Sequence, residues 1–199
     1  VFGAGFSRLT LLLVRKIRSI KLQAVGKIIT IAACAGLLVA IIGIATGGMT
    51  FGTSYTQARA AIEGESLPLY FFIGKFLVTL ASTASGIPGG LFAPSLAVGA
   101  GLGSVIGAIL GSNAGLAALL GMSGYFAGVV QAPMTAFVII LEMTGNHANV
   151  VPVMAAAMIG YGTSRLIAPE PLYHALSRIW AADIIRKIRA TQPADDTKP

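Results

Sequence analysis

Charge is what this sequence has least of. Only 11% of its 199 residues are Asp, Glu, Lys or Arg, against about 25% in an ordinary soluble domain. The deficit is local: the 66 residues from Phe76 to Leu141 carry no charge, and further uncharged runs extend from Ile28 to Thr50 and from Met143 to Ser164. Such runs exclude a solvated surface over most of the chain. A helix crossing the hydrocarbon core takes about 20 apolar residues, so the longest run has room for about three crossings if it is broken at intervals. With 55% hydrophobic residues and a mean hydropathy of +0.82, the sequence reads as an integral, multi-pass membrane protein.

Cysteine is also scarce. The lone Cys34 excludes an intrachain disulfide and reads as a small packing residue in an apolar span. Histidine occurs only at positions 147 and 174, and neither has neighbours at metal-ligand spacing. No nucleophile–base pairing and no phosphate-binding loop is present either, so the sequence points away from an enzyme and implies no metal and no cofactor. The net charge of +7 does not imply nucleic acid. Its bases gather at Arg15, Lys16, Arg18, Lys21 and Lys27 and again at Arg178, Arg186, Lys187 and Arg189. That is the flanking pattern of membrane edges, with no aromatic-basic surface beside it.

What the sequence does have is punctuation. Residues 1–14 read as the end of a membrane helix whose beginning is absent, and the chain opens on valine in mid-pattern, as a fragment of a longer protein would. A basic linker, Arg15 to Lys21, follows. Ile28 to Thr46 reads as a full span stopped by Gly47 and Gly48. A polar stretch then holds a short helix over Gln57 to Ile62. Leu69 to Ala84 is apolar apart from Lys75, which is expected to snorkel or pair rather than line an anion vestibule. The break SGIPGGLFAP (residues 85–94) precedes a helix running to Gly111. Ala114 to Val130, the short Met134 to Thr144, and Val150 to Ile167 complete the apolar part. Leu172 to Ala190 is amphipathic. Residues 1–190 therefore form one membrane domain, and 191–199 a polar tail expected to be disordered. The fold class is all-α: a polytopic membrane helix bundle with broken and re-entrant helices. Such breaks survive at membrane depth where backbone is buried in protein or lines a wet cavity, a pattern of transporters and channels. Gly99, Gly103, Gly107 and Gly111, spaced by four, predict a face where a second helix approaches closely.

The break at residues 85–94 is the chemically informative one. Pro88 disfavours helix at Ile87. Gly89 and Gly90 permit a turn and close backbone approach. Pro94 suits a first helical turn, where its missing N–H is no loss, so the next helix is predicted to start at Leu91 or Phe92. Its first amides, from Gly90 to Ala93, would then lack intrahelical partners, and together with the positive end of the helix dipole they favour an anion. Partial charges would hold it weakly enough for release. Two readings stand at this point: an anion site near the bilayer midplane, or a re-entrant loop with structural glycines.

The string Gly90-Leu91-Phe92-Ala93-Pro94 resembles the G-x-F-x-P motif of the CLC family of chloride channels and proton-coupled chloride antiporters. The resemblance continues through SGIPGGLFAPSLAVGAGLGSVIGA, GYFAGVVQAPMTAFVIILEMTGN and PEPLYHAL in similar order and spacing. It covers residues 85–176 strongly and implies the second inverted repeat of a CLC-type membrane domain, with the N-terminal half missing. It implies that chloride is the transported ion, by passive channel or proton-coupled antiport, and that the amides of Leu91 and Phe92 and the hydroxyl of Tyr173 are the anion ligands. Gly89, Gly90, Ala93 and Pro94 shape the motif. Ser85 is not assigned the family's serine-ligand role, because it lies in the second-half motif. Glu142 reads as structural, satisfied near Thr144 and Asn146, since the family's gating glutamates belong to the first half. The resemblance further implies a homodimer through Pro133–Glu142 and Val150–Ile167, residence in the lipid bilayer of a bacterial inner membrane, and a cytoplasmic C-terminus. A different broken-helix anion transporter, or a non-transporting structural membrane subunit, are the competing readings.

Overall fold

The computed structural model describes residues 1–19, 24–86, 89–145, 147–178 and 181; the expected turn at Ile87–Pro88 and the tail at 191–199 lie outside them. The described residues are helical: α1 (Phe2–Ser19), α2 (Ala24–Ala45), α3 (Tyr55–Ile62), α4 (Leu69–Ala84), α5 (Phe92–Leu110), α6 (Ala114–Val130), α7 (Pro133–Thr144) and α8 (Val150–Ile167), followed by a helical turn over 172–178. α5 and α8 are long and apolar enough to cross a membrane by length and composition. α7 has 12 residues and rises only about 18 Å at 1.5 Å per residue, so it does not cross alone.

The helix ends follow the predicted punctuation. Gly47 and Gly48 (φ 63° and 85°) turn the chain after α2, and Pro133 opens α7 at its first position, where a proline loses nothing. Two expectations need correction. The basic segment is not a linker from Arg15 onward, because α1 continues through Ser19; Arg and Lys are good helix formers, and their charge marks a membrane edge rather than a helix end. Gly111 does not extend the glycine packing face. It caps α5 in the left-handed conformation (φ 62°), with its N–H bonded to the Gly107 carbonyl.

Gly99, Gly103 and Gly107 do pack. α6 lies against α5 so closely that a Cβ at Gly103 would stand 2.1 Å from the Ala117 carbonyl oxygen, and one at Gly99 2.7 Å from the Met122 Cα. Gly121 returns the contact from the other side, where an added Cβ would stand 2.4 Å from the Gly99 carbonyl oxygen. α6 crosses α8 in the same way, with a Cβ at Gly160 falling 2.2 Å from the Gly124 carbonyl oxygen. Two hydroxyls bridge this second crossing: Ser123 Oγ donates to the Val153 carbonyl at 2.7 Å and Ser164 Oγ to the Gly128 carbonyl at 2.5 Å. Lipid offers no hydrophobic reason for helices to associate, so close backbone contact and hydrogen bonds between helices hold them together. α6 is thus the central helix, with α5 and α8 against it and α1 along it, where Gly3 meets the Tyr125 carbonyl. Phe2, Phe6, Phe72 and Phe76 form an aromatic seam between α1 and α4.

Candidate anion-binding site

α5 begins where the sequence predicts. Leu91 is its N-cap residue and Phe92 its first helical residue, which puts Pro94 in the first turn. The first capping bond is Ser95 N–H to the Leu91 carbonyl, at 3.0 Å. The amides of Leu91, Phe92 and Ala93 therefore have no intrahelical acceptor, and no described side chain caps them. Gly89 and Gly90 are exposed. A Cβ at either would meet no atom within 4 Å, and neither has a positive φ. Among the described residues of this turn, the left-handed one is Gly86, at φ 80°. The close approach expected at Gly89 and Gly90 is thus not made by any described residue of this chain, and the space beside them is open.

Tyr173 comes to the same place from the far end of the sequence. Its ring stacks on that of Phe92, with centroids 5.8 Å apart and planes 27° from parallel. Phe92 in turn rests on Phe126 of α6, at 5.1 Å. Leu172, fully buried, anchors the turn that carries the tyrosine, and Glu170 pairs with Arg178 across it. The Tyr173 hydroxyl makes no hydrogen bond with a described residue, and the side chain is part-exposed. The structure thus brings the Tyr173 ring against the Phe92 ring at the helix start that carries the Leu91 and Phe92 amides. The amides and the phenol are donors without a formal charge at neutral pH.

The other flagged residues lie elsewhere. Ser85 caps α4, its hydroxyl donating to the Ser82 carbonyl at 2.7 Å. Glu142 is exposed and bonds no described residue; the expected Thr144 partner instead donates to the Ile140 carbonyl at 2.7 Å. Lys75 is 1% exposed and pairs, as expected, but with backbone: its Nζ donates to the carbonyls of Thr50 at 3.1 Å and Gly52 at 2.6 Å. A cavity of about 350 Å³ lies between α3, α5, α6 and α7, with Ala93 and Leu96 on one wall and Arg59 and Glu63 on another. Sequence reasoning misses Gln131. Its side chain reaches the end of α8, with Nε2 2.5 Å from the Ala168 carbonyl oxygen. The only sequence signal was a polar residue standing alone between α6 and α7.

The sequence pattern of the family described as "voltage gated chloride channel" matches residues 1–165. The H(+)/Cl(−) exchange transporter ClcA of Yersinia pestis bv. Antiqua (strain Angola) is 35% identical over 149 residues, a match covering 71% of this chain and 30% of the transporter. The transporter of the same name from Vibrio cholerae serotype O1 (strain ATCC 39541 / Classical Ogawa 395 / O395) is 32% identical over 154 residues, covering 73% and 32% respectively. The chain thus spans 30–32% of the length of these relatives. The crystal structure of a slow cyanobacterial Cl−/H+ antiporter superposes with a TM-score of 0.71 at 24% identity, over 91% of this chain and 44% of that one. The shared fold is an all-α membrane fold with broken helices. By the match over residues 1–165, the chain belongs to the voltage-gated chloride channel family, the CLC family that its motifs resemble.

Proposed function

We propose that this chain builds one side of the anion pathway of a chloride-transporting membrane protein, working either as a passive channel or as a proton-coupled antiporter. The amides of Leu91 and Phe92 and the hydroxyl of Tyr173 hold the anion, while Gly89, Gly90, Ala93 and Pro94 keep the helix start open to it. One observation carries this reading: Tyr173 is stacked on Phe92 at the first turn of α5, whose first amides no described protein group satisfies. Three neutral donors suit a transported anion, because a full positive charge in a low-dielectric site would hold it too tightly to release. The family match and the relatives named as H(+)/Cl(−) exchangers support chloride as the ion.

The remainder of the pathway comes from a second half of the same protein. Two copies pair through α7 and α8, whose exposed apolar residues include Met134, Val138, Val151 and Met154. The protein resides in a bacterial inner membrane with the basic C-terminal segment in the cytoplasm. Chloride titration of the full-length protein by calorimetry tests the site. Tyr173→Phe removes one donor to an anion and is expected to raise the chloride Kd about tenfold. An unchanged Kd counts against the site.

A further inference from the structure

Among the described helix ends, three close on a left-handed residue, and one of the three is not glycine. Gly111 ends α5 and Gly145 ends α7, but α6 ends on Gln131, at φ 58° and ψ 33°. A residue with a Cβ is disfavoured in that conformation and glycine is not. Glutamine there points to a compensating contact, since backbone strain persists where the surrounding structure over-determines it.

Gln131 Nε2 donates to the Ala168 carbonyl at 2.5 Å and lies 3.5 Å from Ser164 Oγ, which itself donates to the Gly128 carbonyl. A carbonyl only accepts, so the amide's NH2 end must face it. Ala168 is the residue at which α8 stops and the chain becomes extended (φ −131°, ψ 91°). Pro169, Glu170 and Pro171 follow, then buried Leu172 and Tyr173. Two prolines fix two of the intervening φ angles, so this link is stiff. A constraint at Ala168 is therefore transmitted to the tyrosine, and the Ala175 N–H, bonded to the Pro171 carbonyl at 3.0 Å, carries it into the following turn. The other end of the brace is α6, whose Phe126 supports Phe92, on which Tyr173 stacks.

We infer that Gln131 is a positioning residue for the Tyr173 hydroxyl, holding the α8–Tyr173 link against the helix that supports the other half of the site. This rests on the reading of Tyr173 as an anion ligand. The role of the side chain separates from that of the turn by substitution. Gln131→Gly keeps the left-handed turn and relieves its strain but deletes the amide, and Gln131→Asn tolerates the conformation but is one methylene short of Ala168. The experiment is chloride titration of the full-length protein for the wild type, Gln131→Gly, Gln131→Asn, Tyr173→Phe and the Gln131→Gly/Tyr173→Phe double variant, with the thermal midpoint in detergent followed in parallel.

Both Gln131 variants are expected to weaken chloride binding about fivefold and Tyr173→Phe about tenfold. The double variant should match Tyr173→Phe alone within about a factor of two, since a brace has nothing to position once the hydroxyl is gone. Wild-type affinity in both Gln131 variants, with Tyr173→Phe weakened, overturns the positioning role and leaves the site standing. Multiplying losses in the double variant also overturn it, because Gln131 then acts independently of Tyr173. Unchanged affinity in Tyr173→Phe overturns the site itself, and the inference with it.

Discussion

Lys75 illustrates what a membrane interior demands of a single residue. An isolated ammonium is costly to bury unless it is paired, and the 1%-exposed Lys75 meets that demand with two backbone carbonyls of the turn after α2. The turn exists because Gly47, Gly48 and Gly52 adopt positive φ there, which frees those carbonyls to point at the lysine. The same residue-level reading makes Gly90 a clean probe. Its φ is ordinary and a Cβ added there meets no described atom within 4 Å, so Gly90→Leu has room for its first carbon and is expected to fill the approach to the Leu91 and Phe92 amides. Gly90→Leu is expected to shift the thermal midpoint by less than about 4 °C while raising the chloride Kd more than tenfold in calorimetric titration. Retained affinity would place the anion elsewhere. The helix start at Leu91 and Phe92 was legible in the sequence, through its glycine and proline punctuation. The stacking of Phe92 on Tyr173 was not, because it depends on how the α8 break is steered. Gln131 was illegible for the same reason: its acceptor is set by a helix crossing, not by any local pattern.

At the scale of elements, glycine and proline carried most of the information. The bounds of α4, α6 and α8 fall where the sequence predicts, since each is closed by residues that cannot continue a helix or that favour its end. Charge was a poorer guide, as the helical Arg15–Ser19 segment shows. The glycine spacing on α5 predicted a close approach but not its partner, because any helix with small residues would satisfy it. The partner is α6, and the contact is backbone on backbone, which makes it unforgiving. Gly103→Val would drive a branched side chain into the Ala117 carbonyl, 2.1 Å from where the Cβ must stand. Neither backbone can yield without separating the helices, so a loss of at least about 2 kcal/mol is expected, read as a lowered unfolding midpoint in detergent. Gly111→Ala should cost less, about 1 kcal/mol, because it only strains a left-handed cap. Equal losses at the two positions would refute the separate roles of packing and capping.

For the whole molecule, the question is how much of the proposed chloride pathway these helices supply. An anion leaving water for a medium of low dielectric forfeits tens of kcal/mol of solvation, whereas a hydrogen bond to a charged group returns only about 1.5–3 kcal/mol net. The proposed ligands, two amides and one phenol, fall far short of that requirement. Further donors, or water held in a lumen, must close the shell from the side that Gly89 and Gly90 leave open. The large exposed apolar residues of α2, α7 and α8, such as Ile41, Ile44, Met134 and Ile159, likewise need lipid or further protein against them. The 199-residue chain reconstituted alone in vesicles is therefore expected to release no more chloride than empty vesicles, read with a chloride-selective electrode. Co-reconstitution with the complementary half, expressed as a separate polypeptide, should restore release, and Tyr173→Phe in this chain should slow or speed it measurably. Release by the single chain at the rate of the full-length protein would mean that these helices enclose a complete pathway, and the one-sided site would have to be abandoned.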